Sequence, residues 1–141
     1  MRLLPAVMNP RLAKKRILLV DDEAGFTRLL KVNLERSGRY VLREENDATK
    51  ALEAAVEFQP DLILLDVVMP KMDGANLCHQ IRRDPRLQGV QIVFLTGSIQ
   101  KSEDGWTSIG GFPAVAKPIG VSELVMAIEA ALAKKEPGGR A

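Results

Sequence analysis

Several polar residues in this chain close short apolar runs. Asp21-Asp22 follow Ile17-Leu18-Leu19-Val20, Asp66 follows Leu62-Ile63-Leu64-Leu65, Thr96 follows Ile92-Val93-Phe94-Leu95, and Lys117 follows Ala114-Val115-Ala116. Carboxylates gathered together repel one another, so a cluster of them persists at neutral pH mainly beside a cation. A donor set of oxygens without histidine suits a hard divalent ion, and Mg2+ that keeps several of its waters fits it better than zinc. Mg2+ in turn favours a phosphoryl group as a shared ligand. Lys117 would face that group as a point charge, and Thr96 would donate a hydrogen bond to another of its oxygens.

Taken singly, each of these residues has a plainer reading. Asp21-Asp22-Glu23 could cap the helix that follows, Thr96 could be a strand-end hydroxyl, and Lys117 before Pro118 could be a surface lysine. The joint placement at successive strand ends carries the inference. In an open parallel sheet, working residues collect at the carboxyl ends of the strands, near the point where strand order reverses.

The elements that must deliver them there alternate along the chain. Strands are predicted at 16–20, 40–44, 61–65, 91–95 and 114–116, each an apolar, β-branched run of strand length. Between them lie helical patterns. The first has Phe26, Leu29, Leu30 and Leu34 on one face, and the second Ala48, Ala51, Leu52, Ala55 and Val56. A third follows Asp73-Gly74 and stops before Pro85, a fourth falls within 100–108, and the last presents Leu124, Val125, Ile128, Ala131 and Leu132. Continuous apolar strands suit a parallel sheet covered on both faces, so the expected class is α/β, doubly wound.

Composition agrees with one folded domain. The chain has 141 residues, 46% hydrophobic and 27% charged, which disfavours disorder and leaves no room for a second core. One cysteine, Cys78, and one histidine, His79, exclude an internal disulfide and a tetrahedral zinc site. No apolar run approaches the length of a membrane span, and Pro5 and Pro10 interrupt the apolar leader, so a cytoplasmic address is expected. The net charge of +2 is uneven: residues 1–15 carry +4 and 134–141 carry +2, which leaves the body at −4. The basic excess therefore sits on the ends, and direct nucleic-acid binding is not expected.

The stretches ILLVDDE at 17–23, DLILLDVVMPKMDG at 61–74, FLTGS at 94–98 and AKPI at 116–119 together resemble the receiver domain of two-component response regulators. The resemblance covers about residues 16–133 and implies a flavodoxin-like (βα)5 fold with a five-stranded parallel sheet in the order 2-1-3-4-5. It implies that Asp66 accepts a phosphoryl group from a histidine kinase or phosphotransfer protein. Asp22 and Asp66 would ligate Mg2+ directly with the backbone carbonyl of Val68, and Asp21 would act through water. Thr96 and Lys117 would bind phosphoryl oxygens and pass the change to a protein-binding surface, with phosphorylation-dependent dimerisation one possible output. Such a domain is not an enzyme beyond its own phosphorylation and dephosphorylation. The chain then divides into a basic extension at 1–15, the receiver at 16–134 and a tail at 135–141, with no output domain expected.

Two departures from the family pattern stand out. Three residues before the lysine, where the family usually has Tyr or Phe, this chain has Ala114, which leaves Phe112 or Trp106 as substitutes. Two residues beyond Asp66 and Thr96 stand Val68 and Ser98, neither able to orient an attacking water as a long carboxamide or carboxylate would. The acyl phosphate is therefore expected to be long-lived, which a half-life of seconds in the isolated protein would contradict. Val68 also argues against the alternative of a Mg2+-dependent phosphohydrolase, which needs a second acid there. A degenerate receiver acting as a protein-binding scaffold is the other alternative, opposed by the complete set of acids, Thr96 and Lys117.

Overall fold

The computed structural model describes residues 13–67, 69, 72–97, 107–109, 111–117 and 120–134, with backbone alone at Thr96 and 107–109. The expected basic extension, apart from its last residues, and the tail at 135–141 lie outside these residues, as do Ser98 and Trp106.

The strands are β1 (Lys15–Val20), β2 (Tyr40–Glu45), β3 (Leu62–Asp66), β4 (Gln91–Thr96) and β6 (Phe112–Ala116), and a short β5 spans Thr107–Ile109. The helices are α1 (Ala24–Glu35), α2 (Ala51–Phe58), α3 (Gly74–Arg83) and α4 (Val121–Ala133). All six strands form one sheet in the order β2-β1-β3-β4-β6-β5. The five expected strands are parallel and in the expected order, and β5 adds an antiparallel edge against β6.

The pleat divides the core into two layers. Ile17, Leu19, Leu62, Leu64, Val93, Leu95 and Val115 face Leu30 and Leu34 of α1 and Leu124 and Ile128 of α4. The intervening residues Leu18, Val20, Ile63, Leu65, Ile92, Phe94 and Ala114 face Ala51 and Ala55 of α2 and Leu77 and Ile81 of α3. Both faces of the central strands are thus covered, which is why they read as unbroken apolar runs rather than as alternation.

Of the segment 100–108, where the sequence pattern places a helix, residues 100–106 lie outside the described ones, and Thr107 and Ser108 belong to β5. Ile109 pairs with Phe112, and Gly111, between them in the chain, has φ +88°, which Gly adopts without strain. One expectation needs correction, in α1: Leu29, expected on its buried face, is 62% exposed, and the hydroxyl residue Thr27 is buried there instead.

Candidate functional site

Strand register delivers the acids to one place. Val20 stands opposite Leu65 in the β1/β3 pair, so the next residues, Asp21 and Asp66, leave adjacent strands side by side. The chain turns from β1 toward β2 on one side and later returns to β3 on the other, which makes this gap the reversal point of the sheet. Asp21 and Asp66 are buried and Asp22 is exposed, and one carboxylate oxygen from each lies within 4.8 Å of the others.

Lys117 follows β6 and reaches across this gap. Its Nζ donates to Asp21 Oδ2 at 2.7 Å and to Glu23 Oε1 at 3.4 Å, and lies 3.9 Å from Asp66 Oδ2. The same ammonium sits 4.4 Å from the centre of the Phe26 ring. Burial pulls the pKa of Lys117 down, but the hydrogen bond and charge of Asp21, joined by the charges of Asp66 and Glu23, outweigh it and hold the group above 10.5. The short contact of Lys117 is with Asp21, because that buried carboxylate needs a counter-charge close by.

The turn after β1 is held by its own network. Asp21 Oδ1 accepts from the backbone N–H of Glu23 at 2.9 Å, and Asn46 Nδ2 donates to the Asp21 carbonyl at 2.7 Å. Asn46 also donates to Thr27 Oγ1 at 3.0 Å, and the Thr27 hydroxyl lies 2.7 Å from Glu44 Oε1. Thr27 is therefore buried with its polar atom satisfied, at the base of the site.

On the far side, α3 starts almost against Asp66. The Gly74 N–H donates to the Val67 carbonyl at 2.8 Å, and the Asp73 side chain caps the helix by accepting from the Ala75 N–H at 2.9 Å. A Cβ at position 74 would sit 2.3 Å from the Asp66 carbonyl oxygen and 2.7 Å from Val67 Cα, so only glycine fits.

Four of the residues expected from sequence thus meet: Asp21, Asp22, Asp66 and Lys117. Thr96 ends β4 opposite Ala116, one residue before Lys117, and nothing of its side chain is described. Val68 lies outside the described residues. Glu23, Phe26, Thr27 and Asn46 were not singled out as site residues. A signal for Thr27 was present, a hydroxyl at a helical spacing of three from Leu30, inside an apolar face. Asn46, 25 residues from Asp21, gave none.

Ala114 is fully buried in the layer beneath α2 and α3, and Phe112, two residues earlier on the same face of β6, meets Phe94 edge to face at 6.2 Å between ring centres.

A sheet of this order with this acid cluster at its reversal point defines a class, and the family model of the response regulator receiver domain matches residues 17–129. The chain belongs to that family; it is a receiver domain of the two-component response regulator type. It is 37% identical over 123 residues to the DNA-binding dual master transcriptional regulator RpaA of Synechocystis sp., covering 86% of this chain and 50% of that protein. It is 36% identical to the alkaline phosphatase synthesis transcriptional regulatory protein PhoP of Bacillus subtilis, with the same coverage. The chain therefore spans about half the length of these relatives. Among solved structures, the CheY-like receiver domain protein of Methanospirillum hungatei superposes with a TM-score of 0.72 at 26% identity, over 90% of this chain and 100% of that one. The chemotaxis protein CheY4 of Vibrio cholerae shares the fold, with a TM-score of 0.72 over 84% of this chain and 99% of that one, at 24% identity.

Proposed function

We propose that this domain is a phosphoacceptor and that Asp66 takes a phosphoryl group from the phosphohistidine of a kinase or phosphotransfer protein. The observation that carries the reading is the meeting of three carboxylates and one ammonium at the reversal point of the sheet. A carboxylate oxygen of Asp66 bonds to phosphorus as the phosphorus–nitrogen bond of the donor breaks, and the electron pair returns to an imidazole that takes up a proton. Carboxylate and phosphoryl group are both anionic, so the step depends on positive charge held in place beforehand. Lys117, 3.9 Å from Asp66 Oδ2, is close enough to meet a phosphoryl oxygen by a small pivot away from Asp21. Thr96, at the end of the neighbouring strand, is the hydroxyl donor in this proposal.

The acid cluster fits Mg2+: its donors are oxygens only, they lie within 4.8 Å of one another, and the exposed Asp22 leaves the ion room for water. Asp22 and Asp66 would hold it with the carbonyl of Val68, and Asp21 through water. When bound, the ion would neutralise and orient phosphoryl oxygens. A phosphoryl group adds roughly −1.5 to −2 charges, enough to redraw the contacts of Lys117 and bias a protein-binding surface. Histidine kinases or phosphotransfer proteins are the proposed donors. DNA binding is named for the Synechocystis relative as a whole protein, of which this chain matches half.

Beryllofluoride, a mimic of an aspartyl phosphate, tests the site directly. A bound 19F resonance that requires Mg2+ and is lost in Asp66→Asn is expected. Wild-type protein that shows no bound resonance with Mg2+ present would overturn the proposal.

A further inference from the structure

The groups around the Lys117 ammonium differ in what they offer it. Asp21, Glu23 and Asp66 are carboxylates at 2.7, 3.4 and 3.9 Å, each competing for N–H donors. Phe26 offers the negative face of a ring, 4.4 Å from Nζ to its centre, and attracts the charge without fixing the direction of any N–H. The ring is half-buried and packs against the layer shared by α1 and α4, so the core fixes its position. Glu23, in contrast, is 64% exposed on its side chain and makes no capping hydrogen bond at the start of α1.

We propose that Phe26 is a positioning residue for phosphoryl acceptance at Asp66. Its ring keeps the Lys117 ammonium inside the site while the N–H donors turn from Asp21 toward the incoming phosphoryl oxygens. This rests on the reading of Asp66 as the phosphoacceptor. A hydrogen bond to Asp21 must be given up during that turn, whereas attraction to a ring face persists through a small pivot. With leucine at 26 the apolar bulk remains but the attraction is gone, and the ammonium is left to Asp21, Glu23 and water.

The test compares the whole chain with Phe26→Leu and Phe26→Tyr, using acetyl phosphate and Mg2+. In that reaction an Asp66 oxygen bonds to phosphorus as the phosphorus–oxygen bond to acetate breaks, and acetate leaves with the electron pair. Uptake followed by intact mass across donor concentrations is expected to be slower in Phe26→Leu by about 2- to 10-fold at saturating donor, the size of one ring–cation contact. Phe26→Tyr, which keeps the ring face, restores the rate. The Lys117 Hε protons provide a readout that altered stability alone does not imitate: an upfield ring-current shift in wild type, lost with leucine and kept with tyrosine. A Phe26→Leu protein that matches the wild-type rate, or a Phe26→Tyr protein as slow as Phe26→Leu, would overturn the proposal while leaving Asp66 as acceptor. Failure of the wild type itself to take up a phosphoryl group would overturn the Asp66 reading, and this one with it.

Discussion

Asp21 is the most enclosed charged group of the site, 1% exposed, and its environment shows which charge Lys117 balances. One carboxylate oxygen takes a backbone N–H and the other takes the ammonium, so the buried charge is both hydrogen-bonded and paired. Replacing Lys117 with methionine keeps the apolar stem and strips the counter-charge. In metal-free buffer Lys117→Met is expected to lose on the order of 1–3 kcal/mol at neutral pH, read from denaturant midpoints. The pH dependence has a definite sign. The folded protein holds Lys117 above 10.5, so the protonated form is favoured by folding. That contribution is complete below 10.5 and fades as pH rises through the raised value. The stability gap between wild type and Lys117→Met should therefore be constant at neutral pH and narrow above 10.5. The buried Tyr40, whose pKa is also raised, is common to both proteins and cancels in the difference. A gap that stays constant above 10.5 would contradict this account of Lys117.

Among the elements, α3 is the one whose placement depends most narrowly on a single residue. Its first residue, Gly74, lies so close to the Asp66 carbonyl that a methyl group cannot be accommodated without moving the helix or the chain just after Asp66. Gly74→Ala is expected to cost about 1–3 kcal/mol, the usual range for forced overpacking, and to slow phosphoryl uptake by disturbing Asp66. Gly25, near the start of α1, is the control: a Cβ there meets nothing within 4 Å, and alanine favours helix by up to about 1 kcal/mol. Comparable denaturant midpoints for the two variants would refute the close-approach argument. The elements also show where sequence patterns stop being informative. Strands β1, β3 and β4 were legible because burial on both faces forces unbroken apolar runs. The short β5 was not, because three residues carry no periodicity. Leu29 misled for a related reason: an apolar residue at helical spacing is exposed here, and the hydroxyl of Thr27 takes the inner position because Asn46 and Glu44 are there to satisfy it.

For the whole molecule, the sheet order turns three separated sequence stretches into one site. Asp21-Asp22, Asp66 and Lys117 were readable as candidates because each ends an apolar run, and the parallel sheet brings every such end to the same edge. What the residues alone did not reveal was the state of the site: the ammonium resting on Asp21, the ring of Phe26 beside it, and the tie from Asn46 across to the turn after β1. Those depend on contacts between residues as far as 96 apart in the chain, for which spacing offers no signal. No helix among the described residues is long and apolar enough to cross a membrane. The central claim, that Asp66 is the residue modified, is tested most directly by incubating the protein with acetyl phosphate and Mg2+ and measuring its intact mass, followed by peptide mapping. The account predicts a gain of one phosphoryl group, confined to the peptide containing Asp66, dependent on Mg2+ and missing in Asp66→Asn. No gain in wild type, or the same gain in Asp66→Asn, would contradict it.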